Sequence, residues 1–303
     1  MATSERPWLI VGTGAMACLF GAHLAPIHPV RLLGTWPAGL QALKQVGIRL
    51  ETADGERVIA VEATDDPQTC RGAELALVLV KAWQTKRAAA QLKACLADDG
   101  LAVSLQNGLG NLETLQAALG SHRATVGVTT VGATLLGAAH VRAGGPGQVH
   151  LGRDQRLQPL GDALAAAGLQ VETSDDLRAL VWGKLVVNAG INPLTALLGI
   201  PNGKLLDRPS ALDIMARAVD EVVQVSEAAG VRLEMSDPLQ TTLDVARRTR
   251  SNRSSMLQDL ARGAPTEIDA ICGAVSREGS RAGIQTPVNW TLWKLVRARA
   301  EEE

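Results

Sequence analysis

At 303 residues with a formal net charge of −1, the chain is long enough for two domains, and its charge balance points neither to nucleic acid nor to an acidic membrane surface. Six Trp, one Phe and no Tyr argue against a base-stacking surface for single strands and leave the core to Leu, Val, Ile and Ala. The cysteines Cys18, Cys70, Cys95 and Cys272 lack metal-ligand spacing, so no metal site is expected and a reducing cytoplasm is the simplest setting. Pro7 and Trp8 lead straight into a short apolar run, with no signal peptide in view, and no apolar stretch is long enough to cross a bilayer.

The amino-terminal half alternates short apolar runs with amphipathic stretches, the pattern of βαβ units. Trp8–Val11 reads as a first strand, Ala15–Leu24 as the helix after it and Val30–Leu33 as a second strand. Ile48–Glu51 and Val58–Val61 flank Asp54-Gly55, a strong hairpin signal. Leu75–Val80 and Leu101–Leu105 are continuous apolar runs, expected of parallel strands buried on both faces. Thr125–Thr130 and Gln148–Leu151 read as later strands joined through the Gly-rich Ala143–Gly147. After about Val171 strand signals stop. Helical patterns cover Asp176–Leu198, Ala211–Ala229, Leu239–Ala261 and Pro265–Ala282, and the Thr173–Asp176 cluster reads as a helix start. The expected fold is an α/β Rossmann-type domain over residues 1–173 followed by an all-α domain over residues 174–303.

Gly12-Thr13-Gly14-Ala15-Met16-Ala17 sits between the first strand and its helix, the GxGxxA form of the dinucleotide fingerprint. Gly12 makes the tight turn, and Gly14 lets a pyrophosphate approach the helix amino terminus. The second strand ends in Leu33-Gly34-Thr35-Trp36 with no acid to bind ribose hydroxyls, which removes one obstacle to a 2′-phosphate. Thr35 can donate to such a phosphate. Lys81 and Asn107 follow buried strands at the edge where open α/β sheets bind ligands; the plainer readings are a snorkelling lysine and a turn asparagine.

The segment from Trp182 to Asn202 places one lysine and three asparagines in an apolar run. At 100° per residue, Asn188 lies about 40° and Asn192 about 80° around a helix from Lys184, so one narrow face carries all three. A core helix has no use for such a stripe, whereas a helix lining a wet cleft for a small oxygen-rich anion does. Pro265 suits a first helical position, which puts Glu267 in an opening turn. From spacing alone, Glu267 reads as a complement to the helix dipole.

Together GTGAMACLFG at 12–21, VKAWQT at 80–85, LQNGLGN at 105–111, WGKLVVNAGINPLTALLGIPNG at 182–203 and RSSMLQD with PTEID at 253–269 resemble the ketopantoate reductase family (2-dehydropantoate 2-reductases). The lysine–asparagine segment and SSMLQD…TEID are the family-specific parts. The resemblance implies a Rossmann domain carrying NADPH and a helical domain that closes on it. Lys184 matches the family's proton-donating lysine and Glu267 its conserved glutamate. Asn188, Asn192, Asn202 and Ser255 match its substrate-binding positions, and Lys81 and Asn107 match cofactor contacts. Two departures stand out: Ala17 replaces the usual third glycine, and Thr35 stands where members often carry an arginine for the 2′-phosphate.

The expectation is an NADPH-dependent reduction of ketopantoate to (R)-pantoate on the route to pantothenate, by a cytoplasmic monomer or homodimer acting on a small 2-oxo acid without nucleic acid or membrane. Two alternatives stay open: a related reductase of another 2-oxo acid, and a non-catalytic NADP(H)-binding sensor.

Overall fold

The computed structural model describes residues 6–301. They group into two units. The first comprises the chain up to Val80, Gln84–Gln106 and Asn111–Leu177; the second comprises Lys81–Trp83, Asn107–Gly110 and the chain from Arg178 on.

In the first unit, β1 (Trp8–Val11), α1 (Ala15–Leu24), β2 (Val30–Leu33), α2 (Pro37–Gln45), β3 (Ile48–Thr52), β4 (Gly55–Ile59), β5 (Glu62–Thr64), β6 (Ala73–Val78), α3 (Thr85–Cys95), β7 (Leu96–Ser104), α4 (Asn111–Leu119) and β8 (Ala124–Val126) come in that order. A six-stranded sheet runs β5-β2-β1-β6-β7-β8 with every pairing parallel. Alternate residues feed opposite faces. Ile10, Leu32, Leu77 and Val103 share one core with Ala17, Cys18 and Phe20 of α1. Leu9, Val11, Ala76, Val78 and Ala102 share another with Ala88 and Leu92 of α3 and Leu115 of α4. Helices on both faces explain why these strands read as unbroken apolar runs.

Two smaller sheets follow from β9 (Val128–Thr129), β10 (Ala133–Gly137), β11 (His140–Ala143), β12 (Gln148–Gly152) and, after α5 (Gln158–Ala166), β13 (Gln170–Ser174). Their orders are β10-β11-β3-β4 and β13-β12-β9. The expected hairpin forms, with Thr52 opposite Gly55. The expected strand Thr125–Thr130 is two strands in different sheets, divided at Gly127, whose N–H donates to Ser104. Thr173 and Ser174 finish β13 rather than start a helix; the Ser174 hydroxyl accepts from Asp176 N–H, and the helix begins at Leu177.

The second unit is helical: α6 (Leu177–Leu198), α7 (Pro209–Ala228), α8 (Pro238–Arg248), α9 (Ser255–Leu260), α10 (Cys272–Ala282) and α11 (Pro287–Glu301). Its core joins Trp182, Leu185, Val186 and Ala189 of α6 to Met215, Val219 and Val222 of α7, Val275 of α10 and Leu292 and Val296 of α11. Two expected helices are corrected. Leu239–Ala261 breaks after Arg248, because Arg250 and Asn252 turn their carbonyls to Gly203 and Asn202 N–H, and Ser254 caps a new helix by accepting from Leu257 N–H. Pro265–Ala282 is helical only from Cys272; the Ala270 carbonyl accepts from Leu109 N–H and leaves the helical ladder. Glu267 therefore stands in an irregular turn, and the dipole account of it falls away. Among the described residues no helix is long and apolar enough to cross a membrane.

Candidate active site

In the first unit, β1 ends at Val11 and α1 begins at Ala15, so Gly12, Thr13 and Gly14 make up the whole turn. Gly12 has φ +134°, a conformation L side chains rarely adopt, and donates its N–H to the Leu33 carbonyl at 2.8 Å. Gly14 caps α1 without a side-chain hydrogen bond, and a Cβ built there would meet nothing within 4 Å. An open helix amino terminus without a side-chain cap, whose main chain a ligand can approach closely, is what a pyrophosphate requires, so these residues fit a dinucleotide. Ala17 is buried in the core, while Ala15 and Met16 are half-buried in the first turn. Gly34 abuts Thr13, which brings the exposed Thr35 beside the turn. Arg31, earlier on β2, is committed elsewhere: it donates to Glu62 at 2.7 Å and to the Thr69 carbonyl.

In the second unit, α6 carries Lys184, Asn188 and Asn192 at helical spacing and runs unbroken through Pro193. Burial lowers the Lys184 pKa from 10.5 to about 8, and the negative charge of Glu267 pulls it back up. An amine tuned in this way is protonated near neutral pH yet gives its proton up readily.

The Glu267 carboxylate, itself buried, is held by the two short chain pieces that join this unit. Oε1 accepts from Ala82 N–H at 3.1 Å and Oε2 from Asn107 Nδ2 at 3.1 Å. Lys81 Nζ stands 3.8 Å from Oε2 and donates to Asp259 Oδ2 at 2.6 Å. Asp259, only 2% exposed, also receives Arg262 at 2.7 Å. Burial raises its pKa, and the Lys81 charge opposes the rise. Gly108 has φ +81° and lies so close to Ala270 that a Cβ there would strike its backbone. In this structure, then, Lys81 and Asn107 are among the groups that hold Asp259 and Glu267.

Asn202 opens the short turn after α6. It is 8% exposed, its Nδ2 donates to Thr249 Oγ1 at 2.9 Å, and its Oδ1 has no partner. The Asn188 Nδ2 atom is likewise buried without a partner. Buried amide atoms in that state gain most from a polar ligand. Ser255 is the first residue of α9, next to Ser254, whose hydroxyl accepts from Thr195 Oγ1 at 2.7 Å. Sequence reasoning assigned no role to Asp259, Thr195 or Ser254. Spacing held a signal for one of them: Thr195 falls three residues after Asn192, on the same side of α6.

The chain matches the family model described as Ketopantoate reductase PanE/ApbA over residues 8–156 and its C-terminal counterpart over residues 176–300. It is 36% identical over 297 residues to a 2-dehydropantoate 2-reductase of Halobacterium salinarum, covering 95% of this chain and 97% of that protein. A solved PanE/ApbA family ketopantoate reductase from Ralstonia eutropha JMP134 is 35% identical, with a TM-score of 0.89 over 97% of this chain and 98% of that one. D-mandelate dehydrogenase, solved with NADH and anilino(oxo)acetate, is 25% identical, with a TM-score of 0.91 over 97% and 98% of the two chains. Two family models spanning most of the sequence, with a relative at this identity over nearly its whole length, make the chain a member of the ketopantoate reductase family.

Proposed function

We propose that this protein reduces ketopantoate to (R)-pantoate with NADPH, the cofactor held by residues 1–173 and the oxo acid by the helices that begin at Leu177. The observation that carries the reading is the α6 face that brings Lys184, Asn188 and Asn192 together, with burial lowering the lysine's pKa and the Glu267 charge opposing the fall. Bound NADPH supplies a hydride to the C2 carbonyl carbon. As that carbon gains the hydride, the C2 oxygen takes on negative charge and accepts the proton of Lys184, whose ammonium becomes a neutral amine that solvent reprotonates. Glu267 keeps Lys184 charged at neutral pH while its own oxygens are fixed by Ala82 and Asn107. Asn188, Asn192, Asn202 and Ser255 hold the substrate's carboxylate and terminal hydroxyl; the orphaned atoms of Asn188 and Asn202 support this. The glycine turn at Gly12–Gly14 receives the pyrophosphate, and Thr35 meets the adenosine ribose. The buried, free cysteines suit a cytoplasmic enzyme.

Steady-state oxidation of NADPH, and separately of NADH, with ketopantoate and a panel of 2-oxo acids tests the reading. Ketopantoate should give the highest kcat/KM. A second reading, reduction of a different 2-oxo acid with NADH, is favoured by the likeness to D-mandelate dehydrogenase and by the absence of a free arginine on β2. It predicts that another oxo acid leads the panel. Cofactor binding with no turnover on any oxo acid would mark a sensor instead.

A further inference from the structure

The end of β2 has lost one kind of grip on a dinucleotide and carries another. Thr35 is uncharged, and the one arginine of β2 is bound to Glu62 and Thr69. Immediately after Thr35 stands Trp36, a large aromatic left 38% exposed in a chain with few aromatic residues. Its backbone caps α2, with its carbonyl accepting from Leu40 N–H at 2.9 Å. Its ring lies on the first turn of that helix, and the position below it is Gly39. A Cβ on Gly39 would collide with Cε3 and come within 3.1 Å of Cζ3. Glycine at that place leaves room for the six-membered ring of the indole against the helix, while over a third of the side chain stays exposed.

Position matters as much as exposure. Val11 pairs with Leu33, and Gly12 donates to the Leu33 carbonyl, so the end of β2 lies next to the turn that fits a pyrophosphate. In a fold of this kind the adenosine half of the cofactor extends from the pyrophosphate across the carboxyl end of the second strand. A flat aromatic face at that end suits the one part of the adenosine that carries no charge, its base. Stacking on an aromatic ring does not depend on a 2′-phosphate.

We propose that Trp36 is the adenine platform of this enzyme, contributing affinity equally to NADPH and NADH and leaving Thr35 to provide what discrimination there is. The inference rests on the cofactor reading given above and deepens it.

Intrinsic tryptophan fluorescence and direct binding test it. In the wild type, saturating 5′-AMP and saturating 2′,5′-ADP should each quench part of the emission, since both carry adenine and neither carries nicotinamide. Trp36→Leu should abolish that quench and weaken NADPH and NADH binding by the same factor, about 5-fold to 100-fold from the usual worth of one base–aromatic stack. Trp36→Phe keeps a ring over Gly39 and should recover most of the affinity, which separates stacking from a mere helix-packing role. Thr35→Arg should raise the preference for NADPH over NADH while the adenine quench remains. Trp36→Leu that binds both dinucleotides within twofold of wild type, with ketopantoate turnover intact in the wild type, overturns the platform alone. A wild type that binds neither dinucleotide nor 5′-AMP overturns the cofactor reading along with it.

Discussion

Lys81 donates to Asp259 at 2.6 Å while standing 3.8 Å from Glu267, so a single ammonium serves two buried carboxylates. Removing it leaves Asp259 with Arg262, and Glu267 with the Ala82 and Asn107 donors and the charge of Lys184. Lys81→Met is expected to lower unfolding stability by about 1–3 kcal/mol, the cost of leaving a buried polar group under-satisfied. Urea unfolding at pH 7 checks this. An unchanged midpoint and slope would show that Arg262 suffices for Asp259.

The pH dependence of turnover follows from Lys184. Its pKa is depressed to about 8, so the proton needed at the C2 oxygen is present below that pH and lost above it. The plot of log kcat/KM for reduction should be flat near pH 7 and fall with unit slope above about pH 8. Glu267 holds this pKa up, so Glu267→Gln should move the falling limb to lower pH, whatever it does to the maximum. Lys184→Ala should cut turnover by about one to four orders of magnitude, typical of a lost general acid, and leave NADPH binding near wild type. A limb that stays in place in Glu267→Gln argues that the titrating group is not Lys184.

Asn188 offers a cleaner test of substrate binding than Asn192. Its Nδ2 is buried without a partner and it stands a full turn before Pro193, whereas Asn192 immediately precedes that proline inside α6, where backbone freedom is already restricted. Contacts to parts of the substrate that keep their charge during reaction act on binding and transition state alike. Asn188→Ala is therefore expected to raise the KM for the oxo acid by about 5-fold to 100-fold, with little change in kcat. If the KM for NADPH rises instead, the asparagine faces the cofactor.

Gly108→Ala probes the strap that holds Glu267. The positive φ and the Ala270 backbone both oppose a side chain there. The strap must shift, and with it the Asn107 contact to Glu267. Expected outcomes are a loss of stability of about 1–3 kcal/mol and a drop in kcat larger than the rise in either KM. Wild-type kinetics together with a wild-type melting temperature would show that the strap gives way freely.

Much of the architecture was legible because its signals are local. Trp8–Val11, Ala15–Leu24 and Val30–Leu33 are the observed elements to the residue, since an apolar strand, a glycine turn and a largely apolar helix each announce themselves over a few positions. The pieces that went unread depend on distant partners. Ala133–Gly137 and His140–Ala143 lack alternation and become strands through β11 pairing with β3, some ninety residues earlier. Thr249–Ser254 reads as helix until Asn202 and Gly203 take its carbonyls. The same holds at the site. Lys184, Asn188 and Asn192 share a face because helical geometry puts them there. The Lys81–Asp259 pair spans 178 positions, and no periodicity could reveal it.

The helical unit is not a continuous stretch of chain. Two insertions, Lys81–Trp83 and Asn107–Gly110, interrupt the sheet-bearing half to supply it with an amide, an ammonium and the N–H groups that satisfy Glu267 and Ala270. A fragment beginning at Arg178 would keep the hydrophobic core and still leave a buried carboxylate and a buried carbonyl unanswered. Separate expression of the two halves is thus a poor route to an isolated substrate-binding module. An exchange of helical halves between related enzymes would have to carry those seven residues along, or the recipient's glutamate would lose the donors that fix it.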